Sequence, residues 1–590
     1  MSLLKIEKER LTLDGEEFYL ACGDIQYFRI YPDEWKRRLE LMKDFGLTAV
    51  QTYCPWNLHE KNEGEFDFTG MLDLAKFLET CAGVGLKVML RPSPYICGEW
   101  DFGGLPWWLL KDRHMRLRCA YKPFLDKVAA YYRRLCSEFL PYLSTNGGPV
   151  IAVCIENEYG TFASDLGYLR FLADELKKNG VDVPLYQTDC TEQGIRATKP
   201  LGVWQATNYR IESETAVPKL REIQPDMPPF VGEYWSGRSV RWGESGAGRD
   251  IISVAKAYRK ALDLGAYLNF YMFAGGTNFG FMNGALVTRP FDGKGELIYR
   301  AITTSYDCDA LISEDGALTE KYYACRRELD EYLGKPVRGY RLNDPEFQEC
   351  ECRLTGSAPL FENIDLSESV RSPEPLTFEE LEHPFGFVLY RAELPALFER
   401  EIPITIKNVR DRAMVFVDGE FKGTFTRDRE APVIKCRADV PHRLDILVEN
   451  LGRVNSRPGF GEEKGIGDVN YGVARVNGFT CCPIRLDDLG RLNFREDIKS
   501  VCPGFLRGRF KAKPGVPTHL DMRGFGKGVA FVNGFNLGRY WEIGPQQTLY
   551  VPGGLLKEEN ELVIFELEHA KSGVKFIKTA VMDEFHPEYL

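Results

Sequence analysis

"GGPVIAVCIENEYG", residues Gly147–Gly160, runs from two glycines and a proline through six apolar or small residues into Glu156, Asn157 and Glu158. The apolar run is short, carries β-branched residues and is bounded by turn formers, so it reads as a strand buried on both faces. Three groups that are costly to bury stand in a row where it ends. Such an end needs a reason.

Outward from this strand, similar runs alternate with amphipathic helical segments. Upstream lie "FYLACGD" (18–24), "LTAVQTYC" (47–54) and "LKVMLRP" (86–92); downstream lie "PLYQTD" (184–189), "GVWQAT" (202–207), "PFVGEY" (229–234) and "AYLNFYMF" (266–273). Helices are expected near Trp35–Phe45, Met71–Ala82 and Pro123–Phe139, and over "SDLGYLRFLADELKKNG", which ends on glycine. Eight strands with helices between them predict a (β/α)8 TIM barrel over residues 1–335, with its chemistry at the C-terminal ends of the strands. The polar cluster is expected immediately after the fourth strand, on that functional face.

Beyond about residue 335 the pattern changes to short strands punctuated by Gly, Pro and Asn, which predicts all-β modules. "AMVFVDGEFKGTF" (413–425) and "GVAFVNGFNLGRY" (528–540) share a core of V/A-F-V-D/N-G-x-x-x-G, and an apolar strand follows each some thirty residues later. Asp-Gly and Asn-Gly are hairpin turns in such a setting. Two related sandwich domains are expected: one over 370–480, read as an insertion, and one combining 336–369 with 481–590.

The chain has 590 residues, too many for one ordinary core, and its net charge of -11 is spread without long runs, which argues against a nucleic-acid partner. No apolar run is long enough to span a membrane. Residues 1–20 lack the pattern of a secretory signal, so a cytoplasmic location is expected. The sixteen cysteines include Cys22, Cys54 and Cys154 inside apolar runs, and none has the paired CxxC spacing of a zinc site, so reduced structural thiols are expected. His59 reads as structural, and neither a metal nor another cofactor is implied.

A second carboxylate, Glu233, ends the seventh strand in "PPFVGEYW". Two carboxylates at one barrel mouth are the parts for glycoside hydrolysis; at roughly 5–5.5 Å one attacks the anomeric carbon while the other protonates the leaving oxygen.

The motif around Glu158 resembles the signature of the glycoside hydrolase family 35 β-galactosidases. So do "LTAVQTYCPWNLHE", "LRPSPYICGEWDFGGLPWWLL", "YMFAGGTNFGFMNGA" and "TTSYDCDALISEDGALTEKYY", in the same order, while "GKGVAFVNGFNLGRYWEIGPQQTLYVPGGLL" resembles the C-terminal jelly roll of bacterial members. The resemblance implies a retaining exo-β-galactosidase with Glu158 as acid/base and Glu233 as nucleophile. Asn157 would bond the sugar 2-hydroxyl, and Tyr53, Gly98 through its backbone, Glu99 and Tyr306 would hold the other hydroxyls. Glu156 is left either as an inward-facing support or as half of an ion pair.

The sequence departs from the family pattern in three places. Cys154 stands for a glutamine, Gln26 for a histidine and Arg238 for a tryptophan that lines the sugar site. Trp235 or Trp242 is the candidate replacement for the last. Arg238 keeps open the alternative of another terminal sugar, a glucosaminide or an acidic sugar; a non-catalytic carbohydrate-binding protein is the alternative from a different class. Gly104, Trp107 and Trp108 are candidates for a plus subsite, and Tyr540 and Trp541 read as packing rather than a sugar platform. The expected partner is an oligosaccharide or glycoside, with a homodimer through the β domains.

Overall fold

The computed structural model describes residues 3–245, 248–289, 295–334, 336, 345–496 and 502–582. Eight parallel strands close into a barrel: β1 (Ala21–Asp24), β2 (Ala49–Tyr53), β3 (Lys87–Arg91), β4 (Val150–Asn157), β5 (Leu185–Asp189), β6 (Trp204–Tyr209), β7 (Phe230–Trp235) and β8 (Tyr267–Tyr271), with β8 pairing back onto β1. Every residue of β4 is buried. The strand runs two residues further than its apolar stretch, so Glu156 and Asn157 belong to it and only Glu158 follows it.

Helices start and stop where the chain supplies caps. Trp35–Phe45 ends at Gly46, whose φ of 110° lets its N–H reach back to Lys43 and Met42. The helix expected near Met71–Ala82 runs Leu74–Val84, because the Asp73 side chain accepts the N–H of Lys76 and fixes the first turn there. An antiparallel hairpin, Leu4–Ile6 with Leu11–Leu13, closes the N-terminal end of the barrel: Leu4 and Leu11 share one apolar cluster with Cys22, Met89, Ile151, Cys154 and Trp204. Cys154 therefore packs, and the absent glutamine leaves no polar gap.

The duplicated motifs form equivalent hairpins. Arg412–Val417 pairs with Glu420–Thr426, and Lys527–Val532 with Phe535–Trp541, each with a bulge at the same place, before Phe416 and before Phe531. Asp418–Gly419 and Asn533–Gly534 all have positive φ, as a two-residue turn of this kind requires. Arg412–Val417 then pairs with His442–Glu449, and Lys527–Val532 with Glu559–Glu566.

The first hairpin lies in a six-stranded sheet that shares one apolar core with a four-stranded sheet; the second lies in an eight-stranded sheet that also contains Cys350–Pro359. The two units pack together through Met414 and Phe416 on one side and Val529 and Phe531 on the other. Both brace the barrel: Arg453 N–H donates to Asp101 Oδ1 at 2.7 Å, Tyr95 OH to Asn455 O at 2.7 Å, and Ser305 N–H to Gln546 Oε1 at 2.8 Å. Among the described residues no helix is long and apolar enough to cross a membrane, and none of the sixteen cysteines is in a disulfide.

Candidate active site

The pairing of β4 and of β7 with their neighbours slips at the C-terminal ends, between Cys154 and Asn157 and between Val231 and Glu233. Bulges of this sort re-aim side chains. Gly232 makes the second one possible, since a Cβ there would lie 2.8 Å from Thr188 Oγ1 and 3.0 Å from Asn208 Oδ1. Glu158 and Glu233 consequently line one cavity of about 220 Å³ at the C-terminal mouth of the barrel.

Glu233 is 5% exposed and heavily held. Its Oε1 accepts from Tyr53 OH at 2.7 Å and from Arg91 Nη1 at 2.6 Å, and its Oε2 from Trp235 Nε1 at 2.9 Å. Arg91 also donates to Asn157 Oδ1. Because an arginine offers only donors, the Asn157 oxygen must face it, which leaves the Asn157 NH2 to donate elsewhere.

Glu158 has a thinner environment. Its backbone is left-handed, with φ 51°, and its Oε1 accepts from Asn208 Nδ2 at 2.8 Å. Thr188 Oγ1 donates to Asn208 Oδ1 at 2.6 Å and so fixes that amide. Burial, and then the negative charge of Glu233, push the Glu158 carboxyl up to about 8. It is the protonated partner at neutral pH.

Glu156 points away from this pair. Arg118 grips it with two parallel hydrogen bonds, Nε to Oε1 at 2.8 Å and Nη2 to Oε2 at 2.9 Å, and Nη2 also donates to Asn157 O at 2.9 Å. Of the two open readings of Glu156, the ion pair is the observed one, and it ties down the backbone of the neighbouring site residue. Burial still raises its carboxyl to about 7.

The opposite wall is a strained loop. Cys97, Gly98 and Glu99 have consecutive φ values of 56°, 59° and 48°, an arrangement that tends to accompany functional sites. Tyr306 OH donates to Glu99 Oε2 and lies 2.9 Å from Tyr271 OH, while Arg29 stacks 3.7 Å over the Tyr306 ring and donates to Gly98 O at 2.6 Å. Gln26 accepts from Arg29 as well, so a neutral amide occupies the position of the family's histidine.

Nine of the residues singled out in the sequence line this cavity: Tyr53, Gly98, Glu99, Asn157, Glu158, Glu233, Trp235, Arg238 and Tyr306. Trp235 stands in it, whereas Trp242 is buried against Ala301, Leu451 and Ile543 and faces Trp541. Tyr540 and Trp541 pack, as read. The expected plus-subsite role of Gly104, Trp107 and Trp108 is not seen: all three are buried outside the cavity lining, and the indoles donate to Lys61 O and Glu60 O. His59 is buried between Tyr27 OH at 2.5 Å and Asp67 O at 2.9 Å, with burial pulling its pKa down to about 4.

Sequence reasoning missed Arg91, Asn208, Tyr271, Arg210 and Arg249. Arg91, Asn208 and Tyr271 lie at or next to the C-terminal ends of β3, β6 and β8, the placement that drew attention to Glu233.

The family described as "Glycosyl hydrolases family 35" matches residues 10–332, more than half of the chain. The chain belongs to glycosyl hydrolase family 35. Residues 375–485 match the "Beta-galactosidase, first all-beta domain", and residues 503–561 the "Beta-galactosidase, galactose-binding domain". Relatives in this family include "Beta-galactosidase-1-like protein 3" of Homo sapiens, 36% identical over 96% of this chain and 87% of its own length. "Beta-galactosidase" of Mus musculus is 35% identical over 98% and 95% of the two chains, and "Beta-galactosidase" of Xanthomonas manihotis 35% identical over 91% and 89%. This family 35 chain is thus a glycoside hydrolase.

Proposed function

We propose that the enzyme removes terminal β-linked galactose from oligosaccharides or glycosides with retention of configuration. The observation that carries the reading is the pair of glutamates at the ends of β4 and β7, one ion-paired with Arg91 and the other raised to about 8. In the first step a Glu233 oxygen bonds to the anomeric carbon as the glycosidic C–O bond breaks, and the proton on Glu158 passes to the leaving oxygen. In the second, Glu158 takes a proton from water, the oxygen of that water attacks the anomeric carbon, and Glu233 departs. Asn157 NH2 is free to donate to the 2-hydroxyl, a bond that strengthens in the transition state.

The cavity of about 220 Å³ is smaller than the roughly 300–1,000 Å³ of pockets that take drug-sized ligands, which supports a single terminal sugar and hence exo action. Galactose is supported by the names of the relatives and by the presence of Glu99 and Tyr306 in the walls. The free thiols support work in a reducing compartment such as the cytoplasm.

A second reading is the same chemistry on another terminal sugar, favoured by Arg238 in the lining. Initial rates on p-nitrophenyl β-D-galactoside, β-glucoside, β-glucosaminide and β-glucuronide, with the anomer of the first product followed by NMR, decide between them. Preferential galactoside turnover giving β-galactose first supports the proposal. An α-anomer first would remove the double displacement, and a faster rival would remove galactose.

A further inference from the structure

Three arginines line the same cavity on one side: Arg210 beyond β6, and Arg238 and Arg249 beyond β7. They are not counter-ions of the reacting carboxylates. The charges that act most on Glu158 are Glu233, Asp189 and Arg91. Among the described residues no carboxylate lies within 4.0 Å of the side-chain nitrogens of Arg210 or Arg249; Arg249 donates through Nε to Gly237 O at 2.7 Å and Arg238 through Nη2 to Ser245 O at 2.6 Å.

The acidic groups nearby are engaged elsewhere. Glu212 Oε2 accepts the N–H groups of Arg210 and Ile211, Asp309 pairs with Lys321 and accepts the Arg249 N–H, and Glu244 pairs with Arg241 and Arg300. Arg210 and Arg249 are close enough to repel. A pair of arginines with no carboxylate within 4.0 Å among the described residues, Arg210 and Arg249, is a site for an anion.

Its place says which part of the substrate carries that anion. Glu158 must stand beside the leaving oxygen, so the aglycone lies on its side of the cavity. Arg210 follows two residues after Asn208, the residue that holds Glu158. Arg210 and Trp235 are also shared with a second cavity of about 350 Å³, between the helices Glu192–Thr198 and Ser213–Ile223, which Asn208 lines as well. The terminal sugar sits against Glu99 and Tyr306, and whatever is attached to it passes the arginines.

We infer that the enzyme is built for β-galactosides whose aglycone bears an anionic group, a sulfate or a carboxylate, held by Arg210 and Arg249. This rests on the glycosidase reading above.

The test compares kcat/KM for galactosyl-N-acetylglucosamine with and without a 6-sulfate on the glucosamine, and for galactosyl-glucose beside galactosyl-glucuronate. The wild-type enzyme is expected to favour one or both acidic members by about tenfold, the worth of roughly 1.4 kcal/mol. That preference shrinks as salt rises, because the site is open to solvent. In Arg210→Gln and Arg249→Gln the acidic-to-neutral ratio falls towards one, while Arg210→Lys keeps most of it. Preference within only one pair identifies the anion. Equal rates on acidic and neutral members in the wild-type enzyme overturn the inference and leave the glycosidase reading standing. Silence on every galactoside overturns both.

Discussion

The ends of β4 and β7 deliver the same residue type to one cavity and surround it differently. Glu233 receives three donors, one of them a buried guanidinium, while Glu158 receives one amide and faces the charge of its partner. Burial and a like charge nearby keep the proton on Glu158. Identity of residue type therefore says little about role. The neighbours set the two apart, and of the two glutamates only Glu233 has Arg91 on β3 as an ion-pair partner.

The strongest way to break this contrast is to remove each carboxylate in turn. Glu233→Gly is expected to lose on the order of 10⁴-fold or more in kcat, as nucleophile knock-outs do. Glu158→Gly is expected to lose as much on poorly activated leaving groups but far less on aryl galactosides, whose departure needs little protonation. Added azide sharpens the contrast through product stereochemistry. Filling the space left by Glu233 it gives the α-galactosyl azide, and filling that left by Glu158 the β-galactosyl azide. The opposite pattern would exchange the two roles.

A second contrast lies at the end of β4, between Glu156 in the strand and Glu158 just beyond it. The first is sealed by Arg118 and the second is open to substrate. Arg118→Met leaves a buried carboxylate without its partner and is expected to cost about 3–5 kcal/mol of stability, read in denaturant unfolding. Arg118→Met with Glu156→Gln should recover most of that loss, since both charges are then gone. A single variant as stable as the wild-type protein would show that the pair does not hold the strand end.

How much of this could be read from the sequence depended on direction along the chain. The β4 end and Glu233 stood out because each is a local breach of apolar pattern, and the hairpin duplication because its turns demand positive φ. Arg118, Arg29 and Arg210 gave no such signal. Each lies outside any strand of the barrel, and the partners of the first two, Glu156 and Gly98, are 38 and 69 residues away in the chain. The buried tryptophans of the insertion misled for a related reason, because a loop without periodicity hides which side faces inward.

The pH dependence tests the electrostatic half of the comparison. Glu158, raised from 4.5 to about 8, is protonated below about pH 8, so if it is the acid proposed above, kcat/KM on substrates that need protonation should fall about tenfold per unit above it. The same shift acts on stability. A carboxyl raised by folding holds a proton that the unfolded chain has released, so stability declines as pH rises from about 4.5 to about 8. Glu158→Gln should flatten that decline in thermal unfolding. An equal slope in both proteins would place the titration elsewhere.

Trp235 offers the finest test, because it touches Glu233 through one bond while the other two remain. Trp235→Phe keeps an aromatic ring in the wall and removes only the N–H on Oε2. With Tyr53 and Arg91 still fixed on Oε1, the expected loss is about 1 kcal/mol, or roughly fivefold in kcat/KM. Asn208→Ala removes the donor on Glu158 Oε1 together with the bond from Thr188, and should cost more. If the order were reversed, Glu233 would depend on its indole rather than on the guanidinium, and the contrast between a well-held Glu233 and a loosely held Glu158 would have to be redrawn around Trp235.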